Sequence, residues 1–269
     1  MKRLLTVILL LSGLSQAALA KILVISDIDD TIKVSHVLTK KGAASSFLDD
    51  DSRFVGMSEL YRLLSFNHDD IEFHYVSLAP KILMKSKHSE FLEENKFPVT
   101  NLHMNPGMKQ DPELKQKVIR KLLIEKKPEL VIYFGDNGQF DAVVYNQMTQ
   151  EFPQIPSVSY IREAYSSKGE SPHPTMSGQI GFVTTVEVTL DLIQKGLLPE
   201  KAYPVIENLV YKRLLRDSQS EIFGEMVFPW WQDCRDFKWQ WDIKNPTAKL
   251  TYLKQQIDRK CQLQNVATH

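Results

Sequence analysis

The feature that most constrains the fold of this chain is an apolar run that ends in three closely spaced carboxylates. Residues 22–25 read Ile-Leu-Val-Ile, and Asp27, Asp29 and Asp30 follow almost at once. An unbroken run of branched apolar residues is typical of a strand that is buried on both faces of a sheet. Three like charges at the end of such a strand are costly to ionise unless a cation or hydrogen-bond donors compensate them. The stretch therefore predicts a functional site or, as the plainer alternative, an acidic turn that caps the next helix.

A second stretch repeats this pattern further along the chain. Residues 130–134 read Leu-Val-Ile-Tyr-Phe, and Gly135, Asp136 and Asp141 come after them. Because the carboxyl ends of parallel strands meet at one edge of a sheet, we expect the carboxylates of both stretches to lie together there.

The remaining segments alternate between the periodicity of strands and that of helices. Strands are predicted over residues 71–76, 97–102 and 155–161. Helices are predicted over residues 57–64, 82–95, 111–123, 183–197 and 202–216. Strands that alternate with helices predict an α/β fold with a doubly wound parallel sheet.

Composition and charge narrow the function classes. The chain has 269 residues, of which 43% are hydrophobic and 25% charged, as is typical of a soluble globular protein. Lys and Arg together number 33, and so do Asp and Glu, which gives a formal net charge of zero. A chain without a basic excess does not favour nucleic acid as a partner.

The first twenty residues predict a secretory signal peptide. A basic start, Met1-Lys2-Arg3, precedes the apolar residues 4–14 and a small-x-small site at residues 18–20. We expect cleavage after Ala20 and a secreted or periplasmic mature chain, with an uncleaved membrane anchor as the alternative. In such an oxidising compartment Cys234 and Cys261 are candidates for one disulfide, with two free thiols as the alternative.

The acidic stretches carry the resemblance to a known family. The pattern Asp-x-Asp-x-Thr over residues 27–31 resembles the first motif of the haloacid dehalogenase (HAD) superfamily of aspartate-nucleophile phosphatases. The longer string at residues 26–33, Ser-Asp-Ile-Asp-Asp-Thr-Ile-Lys, resembles the App1-type phosphatidate phosphatase catalytic domain within it. The run Gly-Asp-x-Gly-Gln-x-Asp at residues 135–141 resembles the same family. The resemblance covers residues 22–165 and implies a HAD-like Rossmannoid fold and a Mg²⁺-dependent phosphomonoesterase.

The resemblance implies a role for each candidate site residue. Asp27 is the expected nucleophile, and Asp29 is expected to protonate the leaving alcohol and then to activate water. Ser77 and Lys115 are expected to bind the transferred phosphoryl group. We choose Lys115 over the nearby lysines at positions 109 and 117 because it precedes Ile119 by four residues, as the family's lysine does.

The expected Mg²⁺ ligands are all oxygens. They are the carboxylates of Asp27 and Asp136 and the backbone carbonyl of Asp29. Asp141 is expected either to join them, through water, or to orient Lys115. We further expect Asp30 to hold its own loop and Thr31 to cap a helix that follows.

The substrate is less constrained than the chemistry, because the second motif departs from the family. App1-like domains commonly have Ser-Asn-Ser-Pro-Trp at a position where this chain has Ser77-Leu78-Ala79-Pro80-Lys81. Phosphatidate or a related phospholipid is the expected substrate, and a soluble small-molecule phosphate ester is the alternative. A non-catalytic phosphatidate-binding module is disfavoured, because binding alone gains nothing from the repulsive pair Asp27 and Asp29.

Three parts of the chain are expected. Residues 1–20 are the signal peptide, residues 21–165 the phosphatase core, and residues 166–269 a helical, aromatic-rich extension that completes or packs on the core. The interval from Thr31 to Ile71 is too short for a large lid, so only a minimal cap is expected. All four tryptophans lie at residues 230–241, where we expect them to pack on the domain, with peripheral membrane contact as the alternative.

Overall fold

The structure is a computed structural model that describes residues 21–38, 52–108, 111, 113–167 and 173–263. The predicted signal peptide and Lys109, the alternative phosphate-site lysine, lie outside the described residues.

The centre of the fold is a six-stranded, fully parallel sheet with the strand order β4-β3-β1-β5-β6-β7. Its strands are β1 (Ile22–Ser26), β3 (Ile71–Pro80), β4 (Asn101–Asn105), β5 (Leu130–Asp136), β6 (Ser157–Arg162) and β7 (Ile180–Phe182). A second, two-stranded sheet pairs β2 (Arg53–Phe54) with β8 (Glu225–Met226). This arrangement confirms the predicted α/β fold with a doubly wound parallel sheet.

Seven helices occur in the described part of the chain. They are α1 (Met57–Asn67), α2 (Lys81–Glu94), α3 (Leu114–Lys126), α4 (Asp141–Glu151), α5 (Thr185–Gln194), α6 (Ala202–Leu214) and α7 (Ala248–Leu263). None of these helices combines the length and the hydrophobicity needed to span a bilayer.

Helices cover both faces of the sheet, which is why its central strands are apolar throughout. In β1, Ile22 and Val24 pack towards a large cluster that includes residues of α1, α5, α6 and α7. The alternate residues Leu23 and Ile25 pack towards a smaller cluster formed with α3 and α4. The unbroken apolar run at the start of the chain therefore reflects burial on both sides.

The strand predicted over residues 97–102 is displaced in the structure, where β4 occupies Asn101–Asn105. Pro98 has no backbone N–H to donate to a ladder, and Phe97 is buried in the larger apolar cluster. Thr100 ties this connection to the sheet, because its N–H donates to the carbonyl of Phe73 over 2.8 Å and its hydroxyl accepts the Phe73 N–H over 2.9 Å. Packing, rather than strand pairing, therefore accounts for the hydrophobic residue at position 97.

The carboxyl-terminal segment packs into the same apolar cluster as the sheet. Leu250, Leu253 and Ile257 of α7 belong to that cluster. A disulfide joins Cys234 to Cys261 of α7 across a sequence separation of 27 residues. The structure thus selects the disulfide from the two alternatives that the sequence left open.

The tryptophans differ in their surroundings. Trp241 is only 5% exposed, and the indole N–H of Trp239 donates to its carbonyl over 2.6 Å. The ring of Trp231 stacks on His36 at a centroid distance of 4.5 Å. Trp230, by contrast, is 71% exposed. Packing on the domain therefore describes three of the four rings.

The disulfide generates a stability prediction. Replacing both cysteines, in a Cys234→Ser/Cys261→Ser variant, frees a loop of this size and is expected to lower the free energy of unfolding by roughly 3 kcal/mol. Denaturant unfolding with and without dithiothreitol measures this effect. The reductant should destabilise the wild type and leave the double variant unchanged. Equal unfolding midpoints for the wild type in both conditions would contradict the prediction.

Candidate active site

The candidate site lies where the two central strands β1 and β5 end side by side. Ser26 is in register with Phe134, and the backbone N–H of Asp27 donates to the Phe134 carbonyl over 2.9 Å. Asp136 is the last residue of β5. Pairing of the strands therefore brings the two acidic stretches to the same edge of the sheet.

Lys115 enters this site from the first turn of α3. Its ammonium donates to Asp27 Oδ1 over 2.7 Å and also to Asp141 Oδ1. The lysine is 1% exposed, so both ion pairs are shielded from water. Its alternative Lys117 instead pairs with Asp111 and Glu113 on the protein surface. The structure thus brings Lys115, and not Lys117, to the carboxylates.

Two glycines allow the side chains to crowd this edge. A Cβ atom at Gly135 would lie 2.5 Å from Asp141 Cβ and 2.7 Å from the Tyr145 ring. A Cβ atom at Gly138 would lie 2.5 Å from the ring of Tyr165. Both glycines are required by close approach of neighbouring side chains rather than by an unusual backbone angle.

Three carboxylates form a cluster that suits a metal ion. Asp27, Asp136 and Asp141 are all buried, and each offers one oxygen within 4.8 Å of the other two. Asp136 Oδ1 accepts the backbone N–H of Gly138 over 2.6 Å, and the Asp136 N–H donates to Asp141 Oδ2 over 3.3 Å. Clustered carboxylate oxygens are the donor set preferred by hard divalent cations. The residues present therefore fit such an ion.

The charges of the cluster do not balance without an additional cation. Burial, with Asp141 and Asp27 nearby, raises the pKa of Asp136 well above its ordinary value. Burial also raises the pKa of Asp27 to about 8, although Lys115 opposes the shift. The carboxylates of Asp141 and Asp27 outweigh burial at Lys115 and raise its pKa, so the ammonium stays charged. Among the residues that the structure describes, three carboxylates thus face one ammonium, and a divalent cation would complete the neutralisation.

Asp29 lies in a different environment from Asp27. Its carboxylate accepts from the Ser35 hydroxyl over 2.7 Å and lies 3.4 Å from Nε2 of His88. Burial alone would raise its pKa, but His88, Ser35 and Lys33 outweigh burial and hold the pKa of Asp29 at about 2. Its side chain is therefore not among the clustered carboxylates, and the predicted role of its backbone carbonyl stays a prediction.

Ser77 is connected to Asp29 through the same histidine. The Ser77 hydroxyl lies 3.3 Å from Nε2 of His88, and it accepts the backbone N–H of Ala79 over 3.1 Å. His88 is fully buried on α2, and its Nδ1 atom makes no hydrogen bond with any of the described residues. Sequence reasoning missed His88, because a histidine eleven residues after Ser77 on a helix carries no local signal.

Asp30 holds the loop that follows the candidate nucleophile. Its carboxylate accepts the backbone N–H groups of Ser35, His36 and Val37 over 2.6–2.9 Å and the Tyr165 hydroxyl over 2.5 Å. The backbone of Asp30 is left-handed, with φ of 59°. These contacts agree with its expected role in holding the loop.

The expectation for Thr31 is wrong, because no helix follows it in the described residues up to 38. The chain instead forms a tight turn in which the N–H groups of residues 31–33 all donate to the Ile28 carbonyl. The hydroxyl of Thr31 turns back to donate to Asp27 Oδ2 over 3.3 Å.

A second buried polar group, which sequence reasoning also missed, adjoins the site. The amide of Asn137 donates to Glu163 Oε2 over 2.8 Å, and its oxygen accepts the backbone N–H groups of Ala164 and Tyr165. Burial raises the pKa of Glu163 to about 7. Glu163 also lines a cavity of about 730 Å³ that none of the three clustered carboxylates lines. We therefore place the candidate chemistry at the three clustered carboxylates and not in this cavity.

The charge imbalance generates a prediction for pH and metal. Asp27 and Asp136 retain protons in the folded protein above the ordinary carboxyl pKa of 3.8, where the unfolded chain has lost them. The free energy of unfolding of the metal-free protein should therefore fall as the pH rises from about 4 to about 8. Thermal unfolding in EDTA measures this decline, and added Mg²⁺ at the upper end should reverse it.

Asp136→Asn should weaken both the decline and the response to Mg²⁺. Asp258→Asn, which changes an exposed carboxylate of α7, is the matched control and should alter neither. A melting temperature that rises over this pH range, or a Mg²⁺ response that survives in Asp136→Asn, would contradict the charge assignment.

Parts of the chain are similar to known proteins. A solved structure titled "Structure of Pnkp1/Rnl/Hen1 complex" is similar at 14% sequence identity with a TM-score of 0.37, over 53% of this chain and 46% of that one. No curated protein sequence matches the chain. The family model described as the phosphatidate phosphatase APP1, catalytic domain, matches residues 22–163. That match spans more than half of the chain, and the chain therefore belongs to the APP1 catalytic-domain family of phosphatidate phosphatases.

Proposed function

We propose that the protein is an exported, Mg²⁺-dependent phosphatase that hydrolyses a phosphomonoester, with phosphatidate or a related phospholipid as its substrate. The observation that carries the proposal is the arrangement of Asp27, 2.7 Å from a buried ammonium and clustered with two further carboxylates. Family membership supports the phosphatase reaction and the lipid substrate class.

In the first step, a carboxylate oxygen of Asp27 attacks the phosphorus atom. The new O–P bond forms an aspartyl-phosphate, and the bond from phosphorus to the substrate alcohol breaks. Asp29 gives its proton to the departing alkoxide. With a pKa of about 2, Asp29 is ionised before substrate binds. A negative phosphoryl group beside a carboxylate raises its pKa, so bound substrate favours the protonated form that this step requires.

In the second step, Asp29 takes a proton from water, and the water oxygen attacks the phosphorus of the intermediate. The O–P bond to Asp27 breaks, which releases inorganic phosphate and restores the carboxylate. Lys115 and Ser77 supply donors for the phosphoryl oxygens in both steps. Lys115 contacts Asp27 and Asp141 before substrate arrives, so its ammonium is already oriented.

Asp27 and Asp136, with Asp141 nearby, are the residues that would hold Mg²⁺. When bound, the ion supplies positive charge that keeps Asp27 ionised and neutralises phosphoryl oxygens. The contact of Asp141 with Lys115 supports its role as an orienting residue, and its place in the carboxylate cluster supports a role as a ligand.

Export is supported by two features of the chain. The basic, apolar and small-residue segments over residues 1–20 have the order of a signal peptide. The disulfide between Cys234 and Cys261 suits an oxidising compartment.

The nucleophile assignment generates a prediction. Asp27→Asn should lower kcat by at least about 10³-fold, because a carboxamide does not form the acyl-phosphate. The measurement is hydrolysis of phosphatidate in mixed micelles and of a panel of soluble phosphate esters, with Mg²⁺ and with EDTA. Acid quenching of the wild type should trap a phosphorylated protein that the variant lacks. Near-normal turnover by the variant would remove Asp27 from this role.

His88 is the residue best placed to position both Asp29 and Ser77. Its Nε2 atom lies within 3.4 Å of each of their side chains, while no solvent reaches the ring. A single buried side chain that contacts both Asp29 and Ser77 fixes the distance between the acid–base residue and a hydrogen-bond donor to the phosphoryl group. Misplacement of reacting groups by about 1 Å costs up to about a hundredfold in rate, so this contact supports the chemical step.

Substitution of His88 tests that role. His88→Phe keeps a planar aromatic ring but lacks the polar contact, and it should lower kcat by about tenfold or more with a smaller effect on KM. His88→Gln presents an amide near the Nε2 position and should restore part of the loss. His68→Gln changes a histidine near the opposite end of β3 and serves as the control. Equal kcat for the wild type and His88→Phe, or an equal loss in Phe and Gln variants, would contradict the positioning role.

A further inference from the structure

The first turns of α2 present an unusual surface beside the site. Pro80 at the end of β3 pairs with Asn105 at the end of β4, so α2 and the segment after β4 start at the same edge of the sheet. Around this point lie three exposed apolar side chains and two exposed lysines. We call this group the α2 rim; its members are Lys81, Ile82, Leu83, Lys85 and Met108.

The apolar members of the rim are not needed by the core. The buried face of α2 is formed by Met84, His88, Phe91 and Leu92, at helical spacing. Ile82 is 79% exposed and Leu83 45% exposed, and Met108 is 63% exposed. Ile82 and Leu83 thus face solvent within a few residues of the strand that carries Ser77, and Met108 does so three residues after β4.

The charges of α2 run against the helix dipole. Lysines occupy its amino-terminal half, whereas Glu90, Glu93 and Glu94 occupy its carboxyl-terminal half. The helix has no acidic residue in its first turn and no basic residue in its last. The opposite order is the favourable one, because the amino end of a helix is already positive. Lys81 and Lys85 make no ion pair with the described residues, so this positive charge is available to a partner.

We propose that the α2 rim docks the protein on an anionic lipid bilayer. Apolar side chains that enter the interface and lysines that meet anionic headgroups are the combination that binds such a surface. This inference deepens the proposed function, because docking beside the site is useful only when the substrate is embedded in the bilayer. An acidic protein surface would satisfy the lysines but would leave Ile82, Leu83 and Met108 without an apolar phase.

Vesicle binding tests the proposal without turnover. The protein carries Asp27→Asn so that no lipid is consumed, and it is sedimented with vesicles of three compositions. One is phosphatidylcholine alone, and in the other two about a fifth of the lipid is phosphatidylglycerol or phosphatidate. Phosphatidylglycerol has no phosphomonoester, so binding to it reports the surface and not the candidate active site. Binding should require an anionic lipid and should weaken at high salt.

Two paired variants separate the apolar and basic contributions. Ile82→Ser/Leu83→Ser and Lys81→Gln/Lys85→Gln should each lower the partition constant on phosphatidylglycerol vesicles by about tenfold or more. Phe66→Ser is the matched apolar control. Phe66 is 81% exposed and lies at the end of α1, just before β3 begins, whereas the rim lies where β3 ends. Lys121→Gln, on α3, is the matched basic control. Both controls should change binding by less than about twofold.

Several results would overturn the proposal. They are unchanged binding in both rim pairs, an equal loss in Phe66→Ser, and a self-associated protein in gel filtration that Ile82→Ser dissociates. Melting temperatures show whether the two double variants of the rim fold. If Ile82→Ser/Leu83→Ser does not fold, the single variant Ile82→Ser replaces it. Failure of the wild type to hydrolyse any phosphate ester, with rim-dependent binding intact, would refute the proposed function and leave the docking surface standing.

Discussion

The buried ammonium of Lys115 is the interaction on which the candidate site depends. It is almost inaccessible to solvent and contacts both Asp27 and Asp141. Removing one partner of a buried ion pair costs about 3–5 kcal/mol, since the other charge stays buried without compensation. The neighbouring structure maintains this contact: α3 brings the lysine to the sheet edge, and Gly135 leaves the space that Asp141 occupies. The same contacts stabilise this edge of the sheet and orient the proposed nucleophile, Asp27.

The loop after Asp27 is held by groups that lie far away in the sequence. Arg162, fully buried at the end of β6, donates to the carbonyls of Thr31 and Val183 over 2.9 and 2.8 Å. Its guanidinium lies over the ring of Phe54 at 3.7 Å from the centroid. On the other side, Trp231 of the carboxyl-terminal segment stacks on His36. Residues outside the matched family region therefore help to shape the loop that carries Asp29, which links the extension to the site.

The sequence predicted the parts of this structure that rest on local chemistry. Apolar runs that end in carboxylates located the central strands, and the four-residue spacing to Ile119, as in the resembled family, selected Lys115 from three lysines. The position of β4 was wrong because residue 97 is apolar for packing and not for strand pairing. The role of His88 depends on a contact between α2 and the residues Asp29 and Ser77, which neither periodicity nor spacing along the chain encodes. Long-range contacts of this kind, including the disulfide, became visible only in the folded chain.

Asp27 and Asp29 illustrate how two carboxylates, two positions apart, acquire opposite properties. Burial raises the pKa of Asp27 to about 8, whereas His88 and its neighbours overcome burial and hold that of Asp29 at about 2. These shifts oppose the protonation states that the proposed first step needs, namely an ionised Asp27 and a protonated Asp29. A divalent cation beside Asp27 favours its ionised form, and a phosphoryl dianion beside Asp29 favours its protonated form. In the proposed mechanism, an ion and a substrate would thus move both residues towards their reactive states, which the free protein does not favour.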